Sequence, residues 1–155
     1  MKLAYAEQLL VFGCVPDDIS AEFGLAYDCN DDRDVRHAIR VIVAPYFARW
    51  DDESKAEARK VWAELLISGD GEWLTDAWES DLPPVDLPRE PLRFAQLLWE
   101  ELWPGEEPAT YHDPNAEIDP DPTACNRMRV ARAREPVIPP SLLDLPSTRD
   151  RRPNP

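Results

Sequence analysis

Four basic side chains recur at helical spacing in the first third of this 155-residue chain: Arg33, Arg36, His37 and Arg40. Positions i, i+3, i+4 and i+7 share one side of an α-helix, so these residues would form a single basic face. Arginine binds phosphates and base edges, and nucleic-acid recognition is therefore one chemistry that this spacing allows. The alternative is a solvated helix face whose arginines pair with nearby carboxylates.

The segment just upstream, Asp18–Leu25, contains an apolar, small, apolar, glycine and apolar residue in that order. It resembles the first half of a helix-turn-helix, a family in which the following helix enters the major groove. The resemblance implies a DNA-binding alternative, with a degenerate helix-turn-helix at residues 17–44 and the basic face as its reading surface. The longer turn here holds four aspartates that would repel phosphates, so nucleic acid is not the favoured partner.

Polar or acidic side chains occupy every second position near residue 120: Asp113, Asn115, Glu117, Asp119 and Asp121. In an extended chain this acidic row would lie on one side, with neighbours about 6.6–6.8 Å apart. Such a row can clamp a basic protein surface or simply be a solvated Pro-Asp linker. A calcium loop needs Gly at its sixth position and Glu at its twelfth. Ile118 and Ala124 stand there instead.

No other constellation predicts a metal site or a catalytic site. Zinc ligands pair across two to four residues, and the spacings here are wider, among Cys14, Cys29, His37, His112 and Cys125. No serine lies in a Gly-x-Ser-x-Gly elbow, and the isolated glycines form no phosphate loop. We therefore expect no metal, no cofactor and no enzymatic activity.

Charge divides the chain into two unequal parts. Residues 1–126 carry 10 Lys/Arg and 28 Asp/Glu, a net charge of −18, whereas residues 127–155 carry 7 arginines and 3 acids, a net charge of +4. An acidic body favours a basic protein, or neighbouring subunits of an assembly, as the partner. No apolar run is long enough to span a membrane. Three cysteines without CxxC spacing favour a reducing compartment. We expect a cytoplasmic location, or one within an intracellularly assembled particle.

Two further features are candidates for binding. Trp103 stands beside Pro104 at the end of a predicted helix, and tryptophan often anchors interfaces. The tail combines arginines with a small apolar patch, and its predicted anchors are Arg127, Arg129, Arg132, Arg134, Leu142 and Leu143. Whether this tail docks on its own body or on a partner stays open at this point.

Apolar residues at helical spacing predict a mostly α protein, an irregular bundle of five or six helices with a proline-rich extended C-terminal tail. The helices are predicted at about residues 1–12, 17–24, 34–44, 52–68, 72–78 and 91–103, with one more possible within 123–135. Pro45 should end or kink the third helix. Asp51 or Asp52 should cap the fourth helix, and Gly69 should end it.

These elements divide into a helical domain (1–103), an acidic extended linker (104–122) and a basic, proline-rich tail (123–155). We expect a non-enzymatic acidic binding protein that engages a basic protein surface. It would act as an inhibitor or immunity-type protein, or as a subunit of a larger assembly such as a virion or effector complex, docked through its tail.

Overall fold

The computed structural model describes residues 4–7, 9, 27–81, 88–117 and 119. These residues form helices and no strand, which confirms the mostly α prediction for this part of the chain. The α-helices are α1 Ala4–Glu7, α2 Asp32–Ala38, α3 Ala44–Ala48, α4 Asp52–Ser68, α5 Gly71–Asp81 and α6 Pro91–Leu102. The predicted second helix, most of the connector before α6 and the whole tail lie outside the described residues.

Helix α4 shows how local sequence sets helix ends. The Asp51 side chain accepts a hydrogen bond from the Ser54 backbone N–H at 2.8 Å, which satisfies one of the donors that the first turn leaves free. Gly69 ends the helix in the left-handed conformation with φ 71°, and its N–H donates to the Leu65 carbonyl. Both predicted ends of this helix are confirmed.

Helical structure does not end at Pro45, which was one of the two outcomes predicted from the sequence. A π-helical turn, Ile39–Val43, joins α2 directly to α3, and Pro45 lies in the first turn of α3. The Ala44 N–H donates to the Ile39 carbonyl, five residues back. Proline has no N–H and its ring crowds the preceding turn, and a wider turn there lets the helical path continue.

Helix α6 packs against four other elements of the fold. It contacts α2, the π-helical turn, α4 and α5. Its buried face is Phe94, Ala95, Leu97, Leu98 and Trp99, and Pro91 in its first turn lacks an N–H that would be unpaired there anyway.

Aromatic side chains fill the core around α6. Trp62 on α4 is completely buried. Trp78 meets Phe94 edge to face, with ring centroids 5.1 Å apart, and Trp99 lies 4.7 Å from Trp103. Such pairs add stabilisation beyond the area that they bury. The sequence interpretation of most tryptophans as core residues is therefore confirmed.

The stretch after α6 is folded back, although the sequence predicted an extended linker from residue 104. A 3-10 turn, Pro108–Thr110, packs on α4. The Trp99 indole N–H donates to the Glu106 carbonyl at 2.8 Å. Gly105 makes the reversal with φ 80°. The sequence pattern missed this because the contacts that hold the turn come from distant helices.

Replacing Trp62 by Ala should lower the free energy of unfolding by about 3–5 kcal/mol, because the change opens a cavity that the core cannot fully close. Lys60→Ala on the same helix is the control, since its exposed side chain makes a surface ion pair with Glu57, and we expect a change within about 0.5 kcal/mol. Urea unfolding measures both. Equal losses for the two variants would contradict the assignment of Trp62 to the core.

The two glycines between α4 and α5 should respond oppositely to alanine. Gly69→Ala puts a Cβ in the left-handed region and should cost about 1–2 kcal/mol. Gly71→Ala has no positive φ, and its new Cβ meets Leu92 at an ordinary 3.6 Å. We expect it to be neutral, or stabilising by up to about 1 kcal/mol. Thermal unfolding compares them, and a loss at Gly71 as large as that at Gly69 would refute this account.

Candidate protein-binding surface

Two carboxylates at the end of α6 bind the arginines of the basic face. Arg40 makes a two-pronged contact with Glu101, through Nε at 2.6 Å and Nη2 at 2.8 Å. Arg36 donates to the same carboxylate at 2.8 Å and also pairs with Glu100. We call these four residues the α2–α6 clasp. Paired N–H donors on one carboxylate make the strong, geometrically defined form of this interaction.

The contacts within the clasp shift the pKa values of the residues that form it. The Arg40 hydrogen bonds, followed by those from Arg36, lower the pKa of Glu101 below its ordinary value of 4.5. The same contacts raise the pKa of Arg36 and of Arg40. Only 11% of the Glu101 side chain is exposed, so solvent screens this carboxylate less than a surface group.

The other residues of the basic face also have partners within the fold. Arg33 pairs with Asp31 at 2.7 Å, and the same carboxylate caps α2 by accepting from the Arg33 backbone N–H. His37 stacks on Tyr27, with ring centroids 6.2 Å apart. The basic face therefore offers few free donors to a phosphate, which weakens the case for DNA readout.

The aspartates in the first turn of α2 and in the turn before it have structural roles. Asp34 is buried and accepts from the Asp28 backbone N–H at 3.2 Å. Asp32 pairs with Arg93 on α6, and this hydrogen bond lowers the pKa of Asp32. Asn30 accepts from the Arg89 N–H at 2.9 Å. The turn thus ties α2 to the start of α6, just as the clasp ties it to the end.

Ion pairing inside the fold leaves an acidic surface. The described residues include nine Lys/Arg and 23 Asp/Glu. Six of those nine cations pair with carboxylates of the same chain: Arg33, Arg36, Arg40, Arg59, Lys60 and Arg93. Most of the positive charge is therefore neutralised locally, and the described acids still outnumber the described cations by more than two to one.

The acidic row leaves the body from a fixed point. Arg59 on α4 pairs with Glu106 at 3.0 Å, and its guanidinium lies 4.4 Å from the centre of the Tyr111 ring. A hydrogen bond from the Tyr111 hydroxyl, followed by Arg59, lowers the pKa of Glu106, and the same bond raises the pKa of Tyr111. His112 contacts Glu64 at 2.5 Å.

The described members of the acidic row beyond this point are exposed. Asp113 accepts from the Asn115 backbone N–H at 3.0 Å, which makes a local turn instead of a fully extended start. Glu117 and Asp119 are exposed as well. Asp121 lies outside the described residues, as do all six predicted tail anchors, Arg127 to Arg134 and Leu142-Leu143.

Trp103 is not an exposed anchor, contrary to the sequence prediction. Its side chain is 6% exposed, and its ring meets Phe47 edge to face at 5.4 Å. The helix end beside Pro104 faces inward, because the following segment folds back over it. Burial of this ring explains its position without a partner.

The structure instead reveals an apolar cleft that sequence reasoning missed. Ile67 on α4 and Leu92 on α6 are large apolar side chains that are 46% and 36% exposed. Both line a cleft of about 590 Å³ between α4, α6 and the segment 104–108. The sequence carries one weak signal for this cleft, the run Leu65-Leu66-Ile67, which is wider than a single apolar helix face.

Comparison with protein-family models, curated proteins and solved structures finds no match to this chain. Within the part of the chain that the structure describes, no group of three or more His, Cys, Asp or Glu side chains is arranged to hold a metal ion. Among the same residues, no helix has the length and apolar character needed to cross a membrane. The interpretation of function therefore rests on the chain's own surfaces.

Glu101→Gln should lower the free energy of unfolding by about 1–2 kcal/mol at neutral pH, because the clasp loses its shared charge while solvent screens part of it. The pKa of Glu101 is lowered in the folded state. Its contribution is therefore complete above the ordinary value of 4.5 and fades as pH falls through the folded-state pKa. Urea unfolding of both proteins from pH 7 to pH 3 measures the difference.

Glu100→Gln is the matched control, since its side chain is 38% exposed and contacts only Arg36 in the clasp. We expect it to cost less than Glu101→Gln at pH 7. A wild-type advantage over Glu101→Gln that persists undiminished at pH 3 would show that charge pairing is not its cause.

Proposed function

We propose that this is a non-enzymatic, acidic binding protein that engages a basic surface of another protein. It would serve as an inhibitor or immunity-type protein that masks a basic cleft, or as a subunit of a larger assembly such as a virion or effector complex. The complete architecture would be a bundle of five or six helices with a proline-rich extended tail. The site of action would be the cytoplasm or a particle assembled inside the cell.

The observation that carries this proposal is the internal use of positive charge. Six of the nine described cations pair with carboxylates of the same chain, and the remaining surface is strongly acidic. A surface of one sign attracts a partner of the opposite sign and speeds their encounter. The same surface repels nucleic acid.

The acidic row would make the specific contacts. Its base is held on α4 through Tyr111 and His112, so Asp113, Glu117 and Asp119 extend from a defined place on the body. Asp121 would continue the row. A fixed base lowers the ordering cost that a fully free acidic segment would have on binding.

The tail would supply a second attachment. Arg127, Arg129, Arg132 and Arg134 would provide charge, and Leu142 and Leu143 would provide apolar contacts. An extended arm of this kind gains contact area with neighbouring subunits without a core of its own.

The test is capture of partners from native lysate by the full-length protein, after nuclease treatment, at low and high salt. We expect a basic protein that is retained at low salt and lost at high salt, because exposed charges are screened beyond about 8 Å at physiological ionic strength. A variant carrying Asp113→Asn, Glu117→Gln and Asp119→Asn should capture at least about tenfold less of it, since each charge contact contributes several tenths of a kcal/mol or more.

The control removes the same charge elsewhere. Asp52→Asn, Glu72→Gln and Glu79→Gln change three exposed acids on α4 and α5, and we expect capture within about threefold of wild type. Equal weakening by both triple variants would show that net charge, not the acidic row, drives binding. Recovery of nucleic acid that depends on Arg36 and Arg40 would overturn the proposal in favour of the helix-turn-helix alternative.

A further inference from the structure

The cleft between α4 and α6 combines apolar walls with an acidic mouth. Ile67 and Leu92 form its exposed apolar contacts, and edges of Trp99 and Trp103 contribute to the wall. Pro104 and Pro108 complete the side formed by the folded-back segment. Concave apolar surfaces of this size, with a few polar groups at the edge, are typical binding sites.

Carboxylates surround this cleft, and one of them is open to a new cation. Glu100 and Glu106 line it but pair with Arg36 and Arg59 in the described structure. Glu107 lines it too and is exposed. An occupant would therefore meet apolar side chains inside and a negative charge at the mouth.

This combination suits a proline-rich segment with an arginine next to it. Proline-rich chain adopts an extended conformation before binding, so little entropy is lost when it docks in an apolar groove. A carboxylate beside such a groove pairs with an arginine that flanks the prolines.

The chain contains such a segment in its own tail. Residues 132–143 read Arg-Ala-Arg-Glu-Pro-Val-Ile-Pro-Pro-Ser-Leu-Leu. Two arginines precede Pro136, and four large apolar residues follow it, Val137, Ile138, Leu142 and Leu143. The segment therefore offers positive charge for the acidic mouth of the cleft and apolar side chains for its walls.

The tail is also long enough to reach. Arg132 lies thirteen positions after Asp119, the last described residue, and an extended chain over that separation spans about 45 Å. A folded body of about 100 residues has a radius of gyration near 13 Å. Tethering gives the segment an effective concentration in the millimolar range, so a weak intrinsic affinity suffices.

We propose that residues 132–143 of the same chain occupy this cleft. The arginines lie at the acidic mouth beside Glu107, and the apolar residues contact Ile67 and Leu92. In an assembly, the tail would first leave the cleft before it anchors to a neighbour. This inference does not require the proposed function, because it concerns only how the chain binds itself.

Thermolysin cleavage of the full-length protein before Leu142 and Leu143 tests the proposal, with mass spectrometry to follow those bonds. A synthetic peptide of residues 123–155 gives the rate for an undocked tail. We expect wild type to be cut at least about tenfold more slowly than the peptide. Ile67→Arg should remove most of this protection, because it replaces an apolar contact by a like charge. Its exposed position should leave the fold intact, which circular dichroism checks.

A charge-matched control and a charge-swap pair test whether the tail segment is what occupies the cleft. Ala48→Arg adds the same charge at an exposed position outside the cleft lining and should keep the wild-type rate. Glu107→Arg should expose the tail, and combining it with Arg134→Glu should restore protection. These substitutions leave the cleaved sequence unchanged, and Glu107→Arg covers the case in which Ile67→Arg fails to fold.

Three results would overturn the proposal. The first is a wild-type tail cut as fast as the free peptide. The second is protection that Ile67→Arg and Glu107→Arg both leave unchanged, since the tail would then dock elsewhere. The third is protection that rises with protein concentration, because the occupant would then be the tail of a second copy.

Discussion

The fold depends on ion pairs between α6 and the helical segment that begins with α2, which hold this segment at both ends. Glu100 and Glu101 bind Arg36 and Arg40 at one end, while Arg93 binds Asp32 at the other. Between these ion pairs, the apolar faces of the two helices meet in the core. Opposite charges therefore set the position of α2 along α6, and burial of apolar area supplies most of the stabilisation.

The same ion pairs shape the functional interpretation. Arginines at helical spacing in a sequence suggest a surface that binds phosphates. In this fold, however, Arg36 and Arg40 bind a carboxylate that lies more than 60 residues away in the chain. Once those cations are satisfied, the negative excess of the body faces outward. Charge balance across the whole molecule, rather than any single motif, therefore favours a basic protein as the partner.

The sequence predicted the helix ends and apolar faces that neighbouring residues determine. Helix α4 followed from Asp51, its apolar stripe and Gly69, and α6 followed from Pro91 and its apolar spacing. The passage through Pro45 was missed because a π-helical turn absorbs the proline. The fold-back after α6 was missed because it depends on contacts with α4, among them the Arg59–Glu106 ion pair. The burial of Trp103 was missed because it depends on contact with Phe47 on α3.

The site was predictable only in part. The acidic row is visible in the sequence, and its described members are exposed. Neither interpretation of the basic face predicted the clasp. The alternative to DNA readout paired the arginines with nearby carboxylates, as Arg33 does with Asp31, whereas Glu100 and Glu101 lie more than 60 residues away in the chain. The cleft had almost no sequence signal, since Ile67 and Leu92 look like core residues until the packing of α4 against α6 is known.

A double-mutant cycle on Arg36 and Glu101 tests the central claim most directly, namely that the arginines of α2 serve the fold. The free energies of unfolding of wild type, Arg36→Ala, Glu101→Ala and the double variant are measured at neutral pH. We predict a favourable coupling energy of at least about 0.5 kcal/mol, as expected for residues in one ion-pair network. A coupling energy of zero would contradict the account. It would mean that Glu101 does not hold Arg36, so that the basic face would be accessible to a phosphate-bearing partner.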